Sequence, residues 1–204
     1  MKRIIDILAA SILLIILAPL IGCIMLLIKF KLGSPVFFKQ LRPGLNAKPF
    51  TLYKLRTMTN EKDRSGFYLT DSKRLTPIGR FLRKYSLDEW PQLINVLKGE
   101  LSLVGPRPLL MEYIPLYSEA QLKRHDVKPG ITGWAQVNGR NSTTWEKRFE
   151  YDLWYVENHS FLLDIKILAM TVKKVFRSEG INQSEQDTME RFKGIQAKVS
   201  GGQE

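Results

Sequence analysis

At 204 residues the chain has room for one compact domain and one appendage, and its 31 Lys and Arg against 20 Asp and Glu leave a net charge of +11. A balance that basic calls for an anionic partner: nucleic acid, an acidic membrane surface or a phosphate-bearing substrate. Cys23 is the single cysteine, so an intrachain disulfide and a Cys-based metal cluster are excluded, and with only His125 and His159 besides no structural zinc site is expected.

The N-terminus, MKRIIDILAASILLIILAPLIGCIMLLIKFK, holds an uncharged apolar run of 22 residues from Ile7 to Ile28. As one helix it would reach roughly 33 Å, enough to cross a hydrocarbon core. Three readings compete. A cleaved signal sequence is suggested by LIGC, but the apolar run continues through IMLLI and Asp6 interrupts the basic start. A single-pass anchor fits the length. A re-entrant helix-break-helix accounts for more, because Ala18-Pro19 falls mid-run, where proline's missing donor predicts a bend. Basic residues flank both sides, Lys2 and Arg3 before the run and Lys29 and Lys31 after it. The positive-inside rule then assigns both ends to the cytoplasm, which a straight span cannot satisfy. An anionic phospholipid membrane explains much of the charge, and no nucleic-acid partner is expected.

From Lys31 onward the chain reads as a soluble α/β domain, mostly helical with a small β-hairpin. PVFFKQ and PFTLYKLRTM are strand-like runs joined by the turn signals of LRPGLNAK, and residues 59–75 are a polar loop. Thr76-Pro77 opens a helix in which Ile78, Phe81, Leu82 and Tyr85 share a face. SLDEWPQL then sets Asp88 beside Glu89. Ser86 and Glu89 have capping-box spacing, so the pair reads either as a helix start or as chemistry. Trp90, Leu93, Ile94 and Leu97 make the next apolar stripe, closed by Lys98 and Gly99. In VGPRPLL, Arg107 between two prolines is a pre-aimed fork suited to phosphate, or a loop arginine paired with a carboxylate. KPGITGWAQVNGR is glycine-rich backbone able to approach a nucleotide, though it matches no phosphate-loop or dinucleotide pattern. FLLDIKILAMTVKKVF places Leu162, Ile165, Ala169, Val172 and Phe176 on one side, for a membrane surface or for the core. The expected division is 1–30 membrane hairpin, 31–178 catalytic domain and 179–204 polar tail.

PVFFKQLRPG, YKLRTM, SLDEWPQLINVLKGELSLVGPRPL, KPGITGWAQVNGR and YDLWYVENHSFLLDIK together resemble the bacterial sugar transferase family, the small monotopic phosphoglycosyl transferases. The likeness runs from about residue 35 to 175 and is similar to the shortest members, of the bacillosamine-phosphate transferase kind that serve protein glycosylation. It implies a cytoplasmic-face enzyme of the bacterial inner membrane with amphipathic interfacial helices. Such enzymes move a sugar-1-phosphate from a UDP-sugar to polyprenyl (undecaprenyl) phosphate with Mg²⁺, releasing UMP. The resemblance implies Asp88 as nucleophile and metal contact, Glu89 as its partner, and Arg83, Arg107, Arg140, Lys54 and Arg56 as substrate-binding positions. The physical chemistry agrees: a carboxylate attacking a pyrophosphate needs cations to neutralise the charge. A helix N-terminus at the site is expected to keep Asp88 ionised. Ala18 stands where the family usually has serine, and Leu55 where phenylalanine is common. A homo-oligomer is left open. The competing reading is a non-catalytic, single-pass basic module that binds anionic lipid or nucleic acid.

Overall fold

The computed structural model describes residues 1–139, 143–177 and 191–194. Its helices are α1 (Lys2–Leu32), α2 (Asp71–Arg74), α3 (Pro77–Lys84), α4 (Gln92–Lys98), α5 (Glu119–Leu122), α6 (Trp134–Gly139), α7 (Trp145–Asn158) and α8 (Phe161–Arg177). Four short strands complete it: β1 (Phe37–Pro43), β2 (Pro49–Leu55), β3 (Ser102–Val104) and β4 (Gly130–Thr132). The mostly helical α/β reading holds.

α1 is long and apolar enough to cross a membrane; its 31 residues amount to roughly 46 Å. The helical assignment runs through Pro19, the position of the expected bend. Proline deletes one amide donor, but the turns on either side keep theirs and the helix carries on. A narrow stripe of α1 packs on the rest of the chain. Ala10 joins a core of Leu93, Val96, Leu101, Val104 and Ile167, while Ile24 and Ile28 pack with Leu55 and Leu82. Ala18, Pro19 and Leu20 between these two regions are exposed. Polar ties secure the beginning of the helix. Arg3 donates to the Val96 and Leu97 carbonyls at the end of α4, and the buried Asp6 accepts from Ser102 Oγ at 2.8 Å and Leu103 N at 3.1 Å. Lys2 pairs with Asp164, whose other oxygen accepts from the Tyr155 hydroxyl at 2.6 Å.

The β1–β2 hairpin forms as expected, antiparallel with Phe37 opposite Leu55 and Pro43 opposite Pro49. Asn95, fully buried on α4, donates to the Thr51 carbonyl and to Glu100, both at 2.7 Å, and accepts from Tyr53 N at 3.2 Å. One side chain thereby joins hairpin and helix. The expected α4 stripe is rotated: Leu93 and Val96 are buried, but Ile94 and Leu97 face outward. With Gln92 and Asn95 spent on polar burial, the inward face carries residues that hydropathy alone does not nominate.

β3 and β4 form a parallel pair that the sequence did not announce, because three residues are too few for a period to show. Here the glycines of KPGITGW find their role. A Cβ on Gly130 would lie 2.1 Å from Gly105 N, one on Gly133 would lie 2.1 Å from Gly105 O, and one on Gly105 would lie 2.3 Å from Lys128 O. The close approach at these three glycines is backbone to backbone.

The face of α8 expected to be apolar is indeed apolar, and it is exposed: Leu162, Ile165 and Val172 point outward, while Ile167 and Asp164 are buried. The region taken as a polar tail contains a docked segment. Phe192 is 5% exposed in an aromatic nest with Tyr113, Tyr117, Trp145 and Phe149.

Candidate active site

Two adjacent carboxylates meet cations from three separate segments. α3 starts as read, with Thr76 Oγ1 accepting from Gly79 N at 3.0 Å. After it the chain turns at Ser86, whose φ of 55° is left-handed, and enters a tight 3₁₀ turn over Leu87–Glu89. Ser86 and Glu89 do not form a capping box. The serine side chain caps nothing, and the Glu89 carboxylate is taken by Lys54 Nζ at 2.7 Å and Arg107 Nη2 at 2.6 Å. Cations outcompete an amide for a carboxylate. The capping box in this chain is at Ser118 and Gln121, at the start of α5. Asp88 sits in the first turn of this 3₁₀ segment, which leads through Trp90 and Pro91 into α4 at Gln92.

The two carboxylates are placed in opposite circumstances. Burial works against charge on Glu89, but Arg107 and then Lys54 more than offset it and hold its carboxyl well below the usual range. Asp88 is 6% exposed, and among the described residues its side chain has no hydrogen bond or ion pair. Burial pushes its carboxyl above the usual value and the neighbouring Glu89 adds to the rise, while Lys54, Arg83 and Arg107 pull the other way. Burial therefore outweighs whatever support the start of the helical turn gives the Asp88 charge. What opposes the rise is a ring of cations.

Arg107 is aimed by its backbone. The Pro106 carbonyl accepts from Gly130 N at 3.0 Å, and the Arg107 carbonyl accepts from Arg124 Nη2 at 2.7 Å. Arg124 in turn pairs with Asp152 at 2.6 Å, both side chains essentially unexposed. Arg83 is on the exposed side of α3 and its Nε donates to Thr57 Oγ1 at 3.1 Å.

One other sequence candidate falls elsewhere and one lies outside the described residues. Arg56 is buried and its guanidinium is spent on the Leu32, Gly33 and Ser34 carbonyls at the end of α1. The hairpin stops at Leu55, so the alternation that puts Lys54 at the site does not extend to residue 56. Arg140 lies outside the described residues.

Arg42 is the residue that the sequence reading passed over. In the hairpin register Gln40 faces Leu52 and Arg42 faces Phe50, so the two-residue period puts Gln40, Arg42, Leu52 and Lys54 on one face. Arg42, Lys54, Gln92 and Arg107 accordingly line one small pocket. The period was available in LRPG and YKL; a single arginine beside a turn gave no reason to use it.

Among the described residues no group of three or more His, Cys, Asp or Glu could hold a metal. Magnesium asks for less, one or two carboxylates plus substrate phosphates. Glu89 is occupied by its two cations, and Asp88 is the carboxylate left free to meet an ion arriving with a phosphate.

A carboxylate pair ringed by cations, on a body built onto a membrane-length helix, is an arrangement suited to phosphate groups at a membrane. The chain belongs to the bacterial sugar transferase family, whose profile matches residues 1–178. It is 61% identical over 194 residues to the uncharacterized sugar transferase EpsL of Bacillus subtilis, covering 95% of this chain and 96% of that one. It is 38% identical to the exopolysaccharide production protein ExoY of Rhizobium meliloti, over 88% of this chain and 87% of the relative. It is also 44% identical over 186 residues to the UDP-glucose:undecaprenyl-phosphate glucose-1-phosphate transferase of Escherichia coli, spanning 86% of this chain but only 40% of that longer protein.

Proposed function

We propose that the protein transfers a sugar-1-phosphate from a UDP-sugar to polyprenyl phosphate, giving a polyprenyl-diphosphate-sugar and UMP. The observation that carries this reading is Asp88: a buried carboxylate without a partner among the described residues, beside a second carboxylate that has two. Glu89 organises Lys54 and Arg107, and those cations and Arg83 in turn face the position where a diphosphate would meet Asp88. The names carried by the relatives in Escherichia coli and Rhizobium meliloti support the same class of reaction and a polysaccharide product.

In this mechanism Asp88 attacks the sugar-bearing phosphorus and UMP departs. Polyprenyl phosphate then attacks the phospho-Asp88 intermediate, a ping-pong sequence. Lys54, Arg83 and Arg107 neutralise the charge that gathers on the phosphate oxygens. Magnesium, held by Asp88 and the substrate phosphates, would supply further neutralisation. Exchanging one phosphoanhydride for another is nearly balanced in free energy, so no nucleotide hydrolysis has to drive it. The test is purified protein with Mg²⁺, polyprenyl phosphate and a panel including UDP-glucose, UDP-galactose and UDP-N-acetylated sugars. One sugar is expected to release UMP in step with a lipid-linked product; silence across the panel sinks the proposal.

We further propose that α1 dips into one leaflet and leaves by the side it entered, with the domain on the cytoplasmic face. Both ends of α1 dock on the same body, and the exposed Ala18–Leu20 stretch lies between the docked regions. A straight crossing would carry one end roughly 46 Å from the other, across the bilayer. The exposed apolar face of α8, with Lys166, Lys173 and Lys174 beside it, suits the headgroups of an anionic membrane. Cysteine-labelling reagents that cannot cross the inner membrane are expected to miss single cysteines placed at both termini in a Cys23→Ser background. Labelling of the N-terminal position from the outer side would overturn the hairpin.

A further inference from the structure

Arg42 is held in an arrangement that lacks an anion. Its Nη2 donates to Gln40 Oε1 at 2.7 Å and its Nη1 reaches the Pro108 carbonyl at 3.4 Å, while its buried Nε has no partner. No carboxylate among the described residues pairs with it, yet it lines one pocket with Lys54 and Arg107. Burial, and then the nearby Arg107, bring its pKa down to about 10. Two guanidiniums sharing a pocket whose carboxylate is already engaged by Arg107 and Lys54 repel each other, and a multiply charged oxyanion between them would turn that repulsion into attraction. Arg107 is the link between the two carboxylates and Arg42: it is hydrogen-bonded to Glu89, the residue next to Asp88, and it lines one pocket with Arg42.

We propose that Arg42 and Arg107 form a second phosphate position, next to the one at Asp88, used in turn by the phosphate of the departing nucleotide and by that of the incoming lipid. This rests on the ping-pong reading above. In the first half-reaction a carboxylate oxygen of Asp88 bonds to the sugar-bearing phosphorus as the P–O bond to the nucleotide phosphate breaks, and UMP leaves with the electron pair. In the second, an oxygen of the lipid phosphate bonds to the same phosphorus, the bond to Asp88 breaks, and the electron pair returns to the carboxylate. Displacement in line requires the leaving group and then the attacking group to lie opposite Asp88. One position serves both, and Arg42 is its outer wall.

The experiment compares wild type with Arg42→Gln and Arg42→Lys in the full chain, measuring binding separately from turnover. Pyrophosphate, UMP and a short-chain polyprenyl phosphate are titrated individually by thermal shift and calorimetry. Arg42→Gln is expected to weaken each by about tenfold or more, the loss of charged hydrogen bonds, with Arg42→Lys recovering part of the loss. UMP should inhibit competitively against the lipid phosphate. Unchanged affinities overturn the position, and a loss for UMP alone or for the lipid alone overturns its shared use. If Arg42→Gln does not fold, Arg42→Lys, which keeps the charge but not the fork, supports the position by weaker pyrophosphate binding and overturns it by equal binding. A wild-type protein that releases no UMP overturns the transferase reading, while the pyrophosphate comparison still judges the phosphate position by itself.

Discussion

Asp88→Asn is expected to lower UMP release by at least about 10³-fold while leaving the protein folded and, at neutral pH, slightly more stable. The two effects share one cause. In the wild type the Asp88 carboxyl is buried with no hydrogen bond or ion pair among the described residues, and its pKa is raised by burial and by Glu89. A carboxyl whose folded-state pKa lies above its unfolded value penalises the folded state once it ionises. The penalty is absent below the ordinary value near 3.8, grows as pH rises toward the raised value, and persists above it. Asparagine never ionises, so the melting difference between variant and wild type should open above about pH 4 and stay open at pH 7. A gain on the order of 1 kcal/mol, or about 2–4 °C in Tm, is expected for a chain of this size. Thermal melts across pH in one detergent, alongside a UMP-release assay, measure both. Retained release would remove Asp88 from the chemistry; a variant less stable at pH 7 than at pH 4, relative to wild type, would contradict the account of its burial.

Gly133→Ala should be strongly damaging although it lies outside the site. The added Cβ would lie 2.1 Å from the Gly105 carbonyl oxygen and 2.7 Å from Gln136 Oε1. The glutamine can swing away, but the carbonyl is backbone. Relief requires β3 and the segment after it to move, and that segment leads through Pro106 to Arg107. A loss of about 3 kcal/mol or more is expected, at the upper end for overpacking, together with weaker substrate binding as Arg107 shifts from Glu89. Gly22→Ala is the control. Nothing lies within 4 Å of its added Cβ, and removing a glycine from a helix interior should be neutral or mildly favourable. Denaturation midpoints of the two variants against wild type decide it, and near-equal midpoints would mean that the contact yields cheaply.

What could be read in advance was whatever announces itself within a few residues. The hairpin between Phe37 and Leu55, the Thr76-Pro77 helix start and the glycine closing α4 are local signals, and each formed as expected. The failures came where a distant partner outbid a local one. Ser86 and Glu89 have capping spacing, but Lys54 and Arg107 reach Glu89 from elsewhere in the chain. Arg56 is two residues from Lys54, yet the end of α1 claims it. Phe192 sits in a polar stretch, and its pocket is built from Tyr113, Tyr117, Trp145 and Phe149. The stretch around Asp88 was conspicuous because paired acids are unusual in a basic chain. Arg42 was not, because one more arginine in that background carries no contrast.

The docking of the first turn of α1 has a consequence for how the molecule is made. Lys2, Arg3 and Asp6 are synthesised well before their partners, which are Asp164, the end of α4 and the start of β3. The closing contact between Lys2 and Asp164 spans 162 residues. Until most of the chain has left the ribosome, the charged start of this apolar helix has nothing to grip. The contacts that fix the start of α1 on the body are therefore long-range and among the last that can form.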